Sequence, residues 1–374
     1  MKYFFLFFIT ALSFFQINAQ NLEHRYIAHD NEIREYLIYL PSTYNELEAS
    51  ALIFVFHGFG SSGELMQGVG LNAYAETNNY IIVYPEALPT ELATVAWNCG
   101  SLLSQGVDDV GFVNTLLDAL IDEFNINERR VYACGFSLGG MMSHRLACES
   151  SDRFAAIAAV GAPIATSVGN ACQTSRPVPV LYFHGTGDMV LPYVGSAIIG
   201  SASANFTLNK WAKANNCGDD EVIIEQVPDS VNSQYHVEKR TVGSCDESGE
   251  IIHYKINAWP HSWPLNGSNI NATDEMVKFF EKHIMPEVET PTATIESVLP
   301  NGITVGPNPF KDFLSIHLNG NTTIDNWVIY AADGQSVRKG NIFTSIDLQN
   351  LSKGMYILVL NSDDVAYSVE LLKQ

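Results

Sequence analysis

The chain has few basic residues. Only 20 of its 374 residues are Lys or Arg, against 41 Asp or Glu, and the formal net charge is -21. Nucleic acids and anionic membrane surfaces select basic partners, so this balance argues against both as binding partners. Hydrophobic residues make up 47% of the sequence. The length and composition together suit one large domain with a sizeable core and a second, smaller one.

The N-terminus has the features of a targeting segment. Lys2 precedes an apolar stretch at residues 3–15, and Ala19 offers a small residue before a cleavage site ahead of Gln20. The stretch is short for a membrane span. Because no cysteine lies at the cleavage site, we do not expect a lipidated N-terminus. We therefore predict a signal peptide at residues 1–19 and an exported, soluble mature protein without a membrane span.

The six cysteines show no zinc-ligand spacing, and the sequence implies no metal or organic cofactor. An even number of cysteines in an exported protein suggests disulfides, for which many pairings are possible. Cys148–Cys172 and Cys217–Cys245 are favoured because each pair closes a local loop between predicted elements. Cys99–Cys134 is the remaining pair; alternatively, Cys134 is a free thiol in a buried strand.

Strand and helix patterns alternate from residue 35 to about residue 283. Residues 51–56 and 80–84 are continuously apolar, as expected of strands buried on both faces. Residues 111–124 place their apolar side chains on one helical face, and Asp109 is expected to cap this helix. The alternation predicts an α/β fold, in which a mainly parallel sheet is flanked by helices and ligands bind beyond the C-terminal strand ends.

The composition changes after residue 285. A segment rich in Pro, Thr and Glu predicts a linker at residues 286–302. Beyond it, short β-prone runs alternate with Asn-Gly and Asp-Gly turns, which predicts a small all-β sandwich at residues 303–374. The large α/β domain then covers residues 20–285.

A serine lies between glycines in the hexapeptide Gly135-Phe136-Ser137-Leu138-Gly139-Gly140. An apolar run precedes it and a helical pattern follows. This context predicts a nucleophile elbow, a turn too tight for a Cβ at the flanking positions 135 and 139, which are both glycine. The alternative is a glycine-rich turn in which a buried Ser137 caps the helix.

A serine nucleophile needs a base and a group that orients the base, in the chain order Ser, Asp or Glu, His for this fold. Asp188 follows the apolar strand 180–183, and His261 lies after the last predicted strand of the large domain. We predict that His261 is the base and that Asp188 orients it. The alternatives are an Asx-turn or helix cap for Asp188 and a surface-loop histidine for His261.

The backbone N–H of Leu138 is the first expected oxyanion donor, and the second should come from the glycine-rich loop at residues 57–63. Phe59 is favoured there, with Gly58 and Gly60 as alternatives. Core packing is the usual role of any single aromatic residue. Three aromatic residues are nevertheless candidates for an apolar substrate pocket: Trp97, Tyr193 and Trp263.

These motifs resemble the α/β-hydrolases known as secreted polyhydroxybutyrate depolymerases and feruloyl esterases. The matching segments are His57-Gly58, Trp97-Asn98-Cys99, 107–112, 135–142, 145–148, 184–188 and His261-Ser262-Trp263-Pro264. The resemblance implies a catalytic triad of Ser137, Asp188 and His261, and it also supports the two favoured disulfides. This chain departs from the family in having Trp259-Pro260 before the histidine, where Gly-Gly is common.

The C-terminal region resembles the type A sorting domains read by the type IX secretion system. The matching segments are 305–310, 329–334, 346–351, 354–358 and 371–373. The resemblance implies that this region addresses the protein to the secretion machinery, and that the protein is released from the cell or attached to its surface. A carbohydrate-binding module is the alternative, although Trp327 is the only tryptophan in the region.

Together these features predict a serine carboxylic-ester hydrolase acting through an acyl-enzyme. The favoured substrate is a polysaccharide that carries feruloyl or acetyl esters, and the alternative is a polyester such as polyhydroxybutyrate. An alternative of a different class is a non-catalytic surface protein with a binding cleft.

Overall fold

The structure of the protein is a computed structural model that divides into two compact units, residues 1–287 and 288–374. It describes residues 22–91, 94–104, 106–218, 222–229, 234–243, 245–246, 249–265, 267–286, 297–310, 312–318, 323–341, 346–362 and 365–373. The predicted signal peptide lies outside these ranges, as does most of the predicted linker. No helix within them is long and apolar enough to cross a membrane.

The first unit is built on one sheet. Within the described ranges ten strands join it, in the order β1-β2-β4-β3-β5-β6-β7-β10-β9-β8. The strands from β4 to β10 in this order run parallel, and antiparallel pairs complete both edges. The strands are β1 (Leu22–His29), β2 (Glu32–Tyr39), β3 (Ser50–Phe56), β4 (Tyr80–Pro85), β5 (Ile126–Phe136), β6 (Ala156–Val160), β7 (Val180–Gly185), β8 (Ile223–Val227), β9 (Val237–Val242) and β10 (Ile251–Ile256).

Helices cover both faces of this sheet, as its apolar strands require. They are α1 (Gly63–Met66), α2 (Leu71–Asn78), α3 (Asp109–Glu123), α4 (Leu138–Glu149), α5 (Thr166–Ala171), α6 (Ala204–Ala214) and α7 (Ala272–Lys282). Alternate side chains of β3 enter different cores: Leu52 and Phe54 pack with α3, α4 and α6, whereas Ile53 and Val55 pack with α2 and α7. This arrangement confirms the predicted α/β fold.

The second unit is all β in its described part. One sheet has the order β11 (Ser297–Leu299), β12 (Ile303–Gly306), β13 (Phe313–Leu318), β16 (Ile346–Asp347), and the other has the order β15 (Ser336–Gly340), β14 (Asn326–Ala331), β17 (Gly354–Ser362), β18 (Val365–Lys373). Trp327 is buried in the core of this unit. A buried ring offers no platform for a sugar, which counts against the carbohydrate-binding alternative.

The cysteines form two of the three predicted bridges. Cys148–Cys172 and Cys217–Cys245 are disulfides. The predicted Cys99–Cys134 bridge is wrong, because both thiols are free and buried. Cys99 packs in the core with α3 and α4, whereas Cys134 points from β5 into the core on the other face of the sheet. The sheet itself therefore separates the two sulfur atoms.

A buried ion pair joins β2 to the start of α3. Asp109 Oδ1 lies 2.7 Å from Arg34 Nη2, and Asp109 Oδ2 accepts the N–H of Asn98 at 2.7 Å. Burial raises the pKa of Asp109, against the opposing effect of Arg34. The predicted cap is therefore wrong by one residue, because Asp108 accepts the N–H of Gly111 instead.

Asp109→Asn should lower the free energy of unfolding by about 3–5 kcal/mol, because it leaves the Arg34 charge unpaired in the interior. The matched double variant Arg34→Met/Asp109→Asn removes both charges and keeps an acceptor for the Asn98 N–H. Urea denaturation should show that the double variant regains much of the lost stability. A double variant that is as unstable as the sum of both single variants would contradict this account.

The end of β3 and the start of α4 approach each other with no side chain between them. A Cβ on Gly139 would lie 2.1 Å from the carbonyl oxygen of Phe56, and one on Gly135 would lie 2.4 Å from the backbone of Gly139. Real Cβ atoms do not approach so closely, so both positions require glycine. This contact places the turn at Ser137 next to the loop that leaves β3.

Gly139→Ala should lower the free energy of unfolding by at least about 2 kcal/mol, since the added methyl group overpacks a backbone contact. Gly68→Ala is the matched control, because a Cβ there meets no atom within 4 Å. Chemical denaturation should find the control within about 0.5 kcal/mol of the wild type. Equal stability of the two variants would show that the elbow tolerates a side chain.

Candidate active site

Ser137 forms the turn between β5 and α4. Its backbone has φ 56° and ψ -124°, a conformation that non-glycine residues rarely adopt. Its N–H donates to the carbonyl of Val160 at 3.0 Å. In this described turn the side chain makes no capping hydrogen bond to α4, so the capping alternative is wrong. The strained turn therefore leaves the hydroxyl available for another role.

The glycine-rich loop after β3 faces this serine. A Cβ on Gly58 would lie 3.2 Å from Ser137 Cβ, so the backbone of the loop is in contact with the turn. The N–H of Gly60 donates to the carbonyl of Val95 at 2.9 Å. Gly60 is therefore a poor candidate for the second oxyanion donor, which leaves Phe59 and Gly58. The N–H of Leu138 lies in the first turn of α4, where backbone donors have no helical partner.

Asp188 and His261 meet at the C-terminal edge of the sheet. Asp188 Oδ2 lies 2.6 Å from His261 Nδ1, and the carboxylate is almost completely buried. Its Oδ1 accepts the N–H groups of Val190 at 2.9 Å and Leu191 at 2.8 Å, which is the Asx-turn of the alternative interpretation. The turn holds the carboxylate in place, and its other oxygen binds the histidine.

The environment of Asp188 keeps it ionised. Burial alone would raise the pKa of Asp188, but hydrogen bonds from His184, His261 and the Leu191 N–H together lower it well below its ordinary value. His184 Nε2 lies 3.5 Å from Asp188 Oδ2 and 2.8 Å from the Leu191 carbonyl oxygen. The negative charge favours a proton on His261 Nδ1, which leaves Nε2 of that ring as the acceptor.

The ring of His261 packs against the residue that precedes Ser137. Its centroid lies 4.7 Å from that of Phe136, and a Cβ on Gly161 would lie 3.4 Å from His261 Nδ1. Most of the side chain is covered. The structure thus brings Asp188 and His261 into direct contact and holds the imidazole beside the elbow.

The three predicted pocket aromatics differ in accessibility. Trp97 is 0% exposed and its Nε1 donates to the His57 carbonyl oxygen at 3.0 Å, so the predicted contact with substrate is wrong. Tyr193 and Trp263 are half-buried. The Tyr193 hydroxyl pairs with His253 Nε2 at 2.9 Å, and Trp263 Nε1 donates to Thr273 at 3.1 Å. Because these polar groups have partners, Tyr193 and Trp263 can offer a ligand mainly their ring surfaces.

Glu86 is a residue of this edge that the sequence interpretation missed. Burial raises the pKa of Glu86 to about 7, and Oε1 accepts the N–H of Gly63 at 2.7 Å. Glu86 Oε2 also lies 3.4 Å from His57 Nε2. Its position directly after β4 was the available signal, because polar residues that follow parallel strands gather at one edge.

One group of described residues has the composition of a cation site. Ligand atoms of His29, Asp30 and Asp108 lie within 4.8 Å of one another. Local structure already accounts for both carboxylates, since Asp108 caps α3 and Asp30 lies in the turn between β1 and β2. The prediction that the protein needs no metal or cofactor stays a prediction.

Comparison with known protein families gives a match in each of the two units. Residues 43–220 match the phospholipase/carboxylesterase family, and residues 304–374 match the secretion system C-terminal sorting domain. The second match confirms the predicted sorting domain and the prediction that the protein is secreted. It also supports the involvement of the type IX secretion system.

Two relatives are fungal esterases. The chain is 28% identical over 230 residues to a bifunctional acetylxylan esterase/xylanase of Neocallimastix patriciarum, covering 61% of this chain and 31% of the relative. It is 28% identical over 194 residues to feruloyl esterase B of Piromyces equi, covering 49% and 36%, respectively. The chain therefore spans about a third of the length of each relative.

A solved structure supports the same fold. The acetyl xylan esterase from Aspergillus awamori superposes with a TM-score of 0.51 at 15% identity, covering 70% of this chain and 98% of that one. At this identity the likeness concerns the fold alone. The chain thus has a first unit with the α/β-hydrolase fold, in which residues 43–220 match the phospholipase/carboxylesterase family, and a second unit in which residues 304–374 match the secretion system C-terminal sorting domain.

Proposed function

We propose that the protein is a secreted carboxylic-ester hydrolase in which Ser137 is the nucleophile, His261 the base and Asp188 the residue that orients the base. The 2.6 Å contact between Asp188 Oδ2 and His261 Nδ1, beside a serine in an elbow conformation, carries this proposal. Acyl transfer requires a buried carboxylate that fixes the tautomer of a histidine, and a neighbouring serine whose hydroxyl is not used to cap the helix.

In the first half of the reaction, His261 Nε2 takes the proton of the Ser137 hydroxyl as its oxygen attacks the ester carbonyl carbon. The N–H groups of Leu138 and Phe59 stabilise the negative oxygen of the tetrahedral intermediate. The C–O bond to the alcohol then breaks, and the alcohol leaves with the proton from His261. In the second half, water repeats these steps on the acyl-enzyme, and the acid is released with Ser137 restored.

The proposed substrate is a polysaccharide that carries feruloyl or acetyl esters. The relatives that match this chain include feruloyl esterases and an acetylxylan esterase, which supports this substrate class. The sorting-domain match supports a role outside the cell, where such polymers are found.

Polyester hydrolysis is the second candidate. Met189, Val194 and Ile198 are 88%, 82% and 87% exposed in the segment that directly follows Asp188. Exposed apolar side chains of this kind favour contact with an apolar surface. An insoluble polyester offers such a surface, whereas a hydrated polysaccharide does not.

Ser137→Ala should reduce kcat with p-nitrophenyl acetate by about a millionfold, because it removes the attacking oxygen. A fluorophosphonate probe should label the wild type and the matched control Ser336→Ala, but not Ser137→Ala. Near wild-type turnover in Ser137→Ala would refute the assignment. A wild type that neither turns over esters nor reacts with the probe would favour the non-catalytic binding protein.

Asp188→Asn should lower kcat by about 10⁴-fold at neutral pH, because the amide neither fixes the productive tautomer nor stabilises the imidazolium. Asp118→Asn also removes one carboxylate, but from an exposed side chain, and it should stay within about twofold of the wild type. Steady-state kinetics with the same ester test both variants. Comparable activity of the two variants would exclude Asp188 from the triad.

The released acid distinguishes the two substrate classes. Methyl ferulate, acetylated xylan and polyhydroxybutyrate should be incubated separately with the secreted protein, with Ser137→Ala as the blank. We expect ferulic or acetic acid as the product identified by chromatography. Release of 3-hydroxybutyrate alone would replace the polysaccharide proposal with the polyester one.

A further inference from the structure

A groove with a volume of about 650 Å³ opens at the surface of the first unit, between two parts of the chain that follows β4. Residues 89–91 line one wall, and residues 102–104, Gly106 and Val107 line the other. It is called the side groove below. Ligand sites in proteins commonly have volumes of about 300–1,000 Å³, so the side groove is large enough to hold part of a polymer.

The first wall of the side groove is connected to the glycine-rich loop after β3. Pro89 forms an antiparallel bridge with Val95, and the carbonyl oxygen of Val95 accepts the N–H of Gly60 at 2.9 Å. Gly58, in the same loop as Gly60, contacts the turn at Ser137. Paired backbones lie about 5 Å apart. The side groove therefore begins about one backbone width beyond the loop that contacts the proposed nucleophile.

The second wall is connected to the segment that follows Asp188. The N–H of Leu102 donates to the carbonyl oxygen of Ile199 at 2.9 Å, and a Cβ on Gly200 would lie 3.3 Å from Leu102 Cγ. Both walls thus contact segments that also hold proposed catalytic groups. A polymer that places one of its esters at Ser137 can consequently reach the side groove with a neighbouring part of its chain.

The groups that line the side groove match a ligand that donates hydrogen bonds. Glu91 is exposed, and its carboxylate only accepts. The Ser104 hydroxyl donates to the Ala96 carbonyl oxygen at 3.2 Å, so its oxygen is left as an acceptor. Sugar hydroxyl groups are donors, whereas the ester groups along an aliphatic polyester only accept. Three residues add apolar surface against which the C–H face of a sugar ring can pack: Pro89, Leu102 and Leu103.

The charge of the side groove distinguishes between kinds of polysaccharide. The carboxylate of a uronic acid in the groove would face the carboxylate of Glu91, and like charges repel. The sequence has no Lys or Arg between Arg34 and Arg129, and both walls belong to this stretch. The walls therefore supply no cation that would offset the repulsion. An uncharged sugar meets the same hydrogen-bond acceptors without this cost.

We propose that the side groove binds the uncharged sugar units that neighbour the acylated sugar of the substrate, and that Glu91 accepts hydrogen bonds from their hydroxyl groups. This inference rests on the proposed ester hydrolysis and narrows its substrate to neutral polysaccharides. A polymer is then held at two points, at Ser137 and in the side groove. A small ester such as p-nitrophenyl acetate is too short to occupy both.

Calorimetric titration of the full chain with xylohexaose tests the side groove without catalysis. All proteins carry Ser137→Ala, so that no ester is hydrolysed. Glu91→Ala should raise the Kd at least about tenfold, because it removes hydrogen bonds to a charged acceptor. Glu128→Ala is the matched control, since it removes an exposed carboxylate at the start of β5, on the opposite edge of the sheet. Its Kd should stay within about twofold.

A charge reversal tests the preference for uncharged sugars. In the same titration, a xylo-oligosaccharide that carries glucuronic acid should bind at least about tenfold more weakly than xylohexaose. Glu91→Lys should remove this difference, because the carboxylate of the ligand then meets a cation. Glu128→Lys makes the same change of charge outside the groove and should keep the difference. The proposal is overturned if Glu91 and Glu128 variants behave alike, or if xylohexaose does not bind.

Activity separates this inference from the proposed ester hydrolysis. With Ser137 intact, we expect Glu91→Ala to lower the ratio of kcat/KM for acetylated xylo-oligosaccharides to kcat/KM for p-nitrophenyl acetate by about tenfold. Glu128→Ala should keep the wild-type ratio within about twofold. A wild type that hydrolyses neither ester but binds xylohexaose through Glu91 would refute the ester hydrolysis and support the sugar site. An active wild type whose ratio is unchanged in Glu91→Ala would refute this inference alone.

Discussion

The backbone contact between the end of β3 and the start of α4 is the constraint on which the candidate active site depends. Gly139 lies so close to the Phe56 carbonyl that no Cβ fits between them. This contact brings the strained turn at Ser137 against the glycine-rich loop at residues 57–63 that follows β3. The proposed nucleophile, which follows one strand, and the proposed oxyanion donor, which follows its neighbour, thus come together without a side chain between the two backbones.

Buried polar contacts hold the parts of the site that come from loops. Asp188 accepts two backbone N–H groups in addition to its contact with His261, and His57 links the glycine-rich loop at residues 57–63 to the chain after β4. Interior hydrogen bonds of this kind are costly to leave unpaired, so each loop has a strongly preferred arrangement. In this way loops that lack regular structure hold the proposed catalytic groups in defined orientations.

Patterns that arise from short-range sterics or from local polarity predicted the structure well. The alternation of apolar strands and amphipathic helices predicted the sheet, and the glycines on either side of Ser137 predicted the elbow. Predictions that required knowledge of a face or a partner were weaker. Trp97 was expected to line a pocket, but it supports the His57 carbonyl from the core. Cys99 and Cys134 were paired by elimination, although the sheet lies between them.

By itself the sequence determined where the chain must be tight, where it must be buried and in what order its candidate catalytic residues occur, because these properties can be read along the chain without knowledge of tertiary contacts. Only the tertiary structure decided that Asp188 meets His261, that Arg34 meets Asp109 and that His57 meets Ala87. Each of these contacts joins residues from different strands, helices or loops of the first unit, and the geometry of long-range packing selects one partner among many chemically equivalent ones.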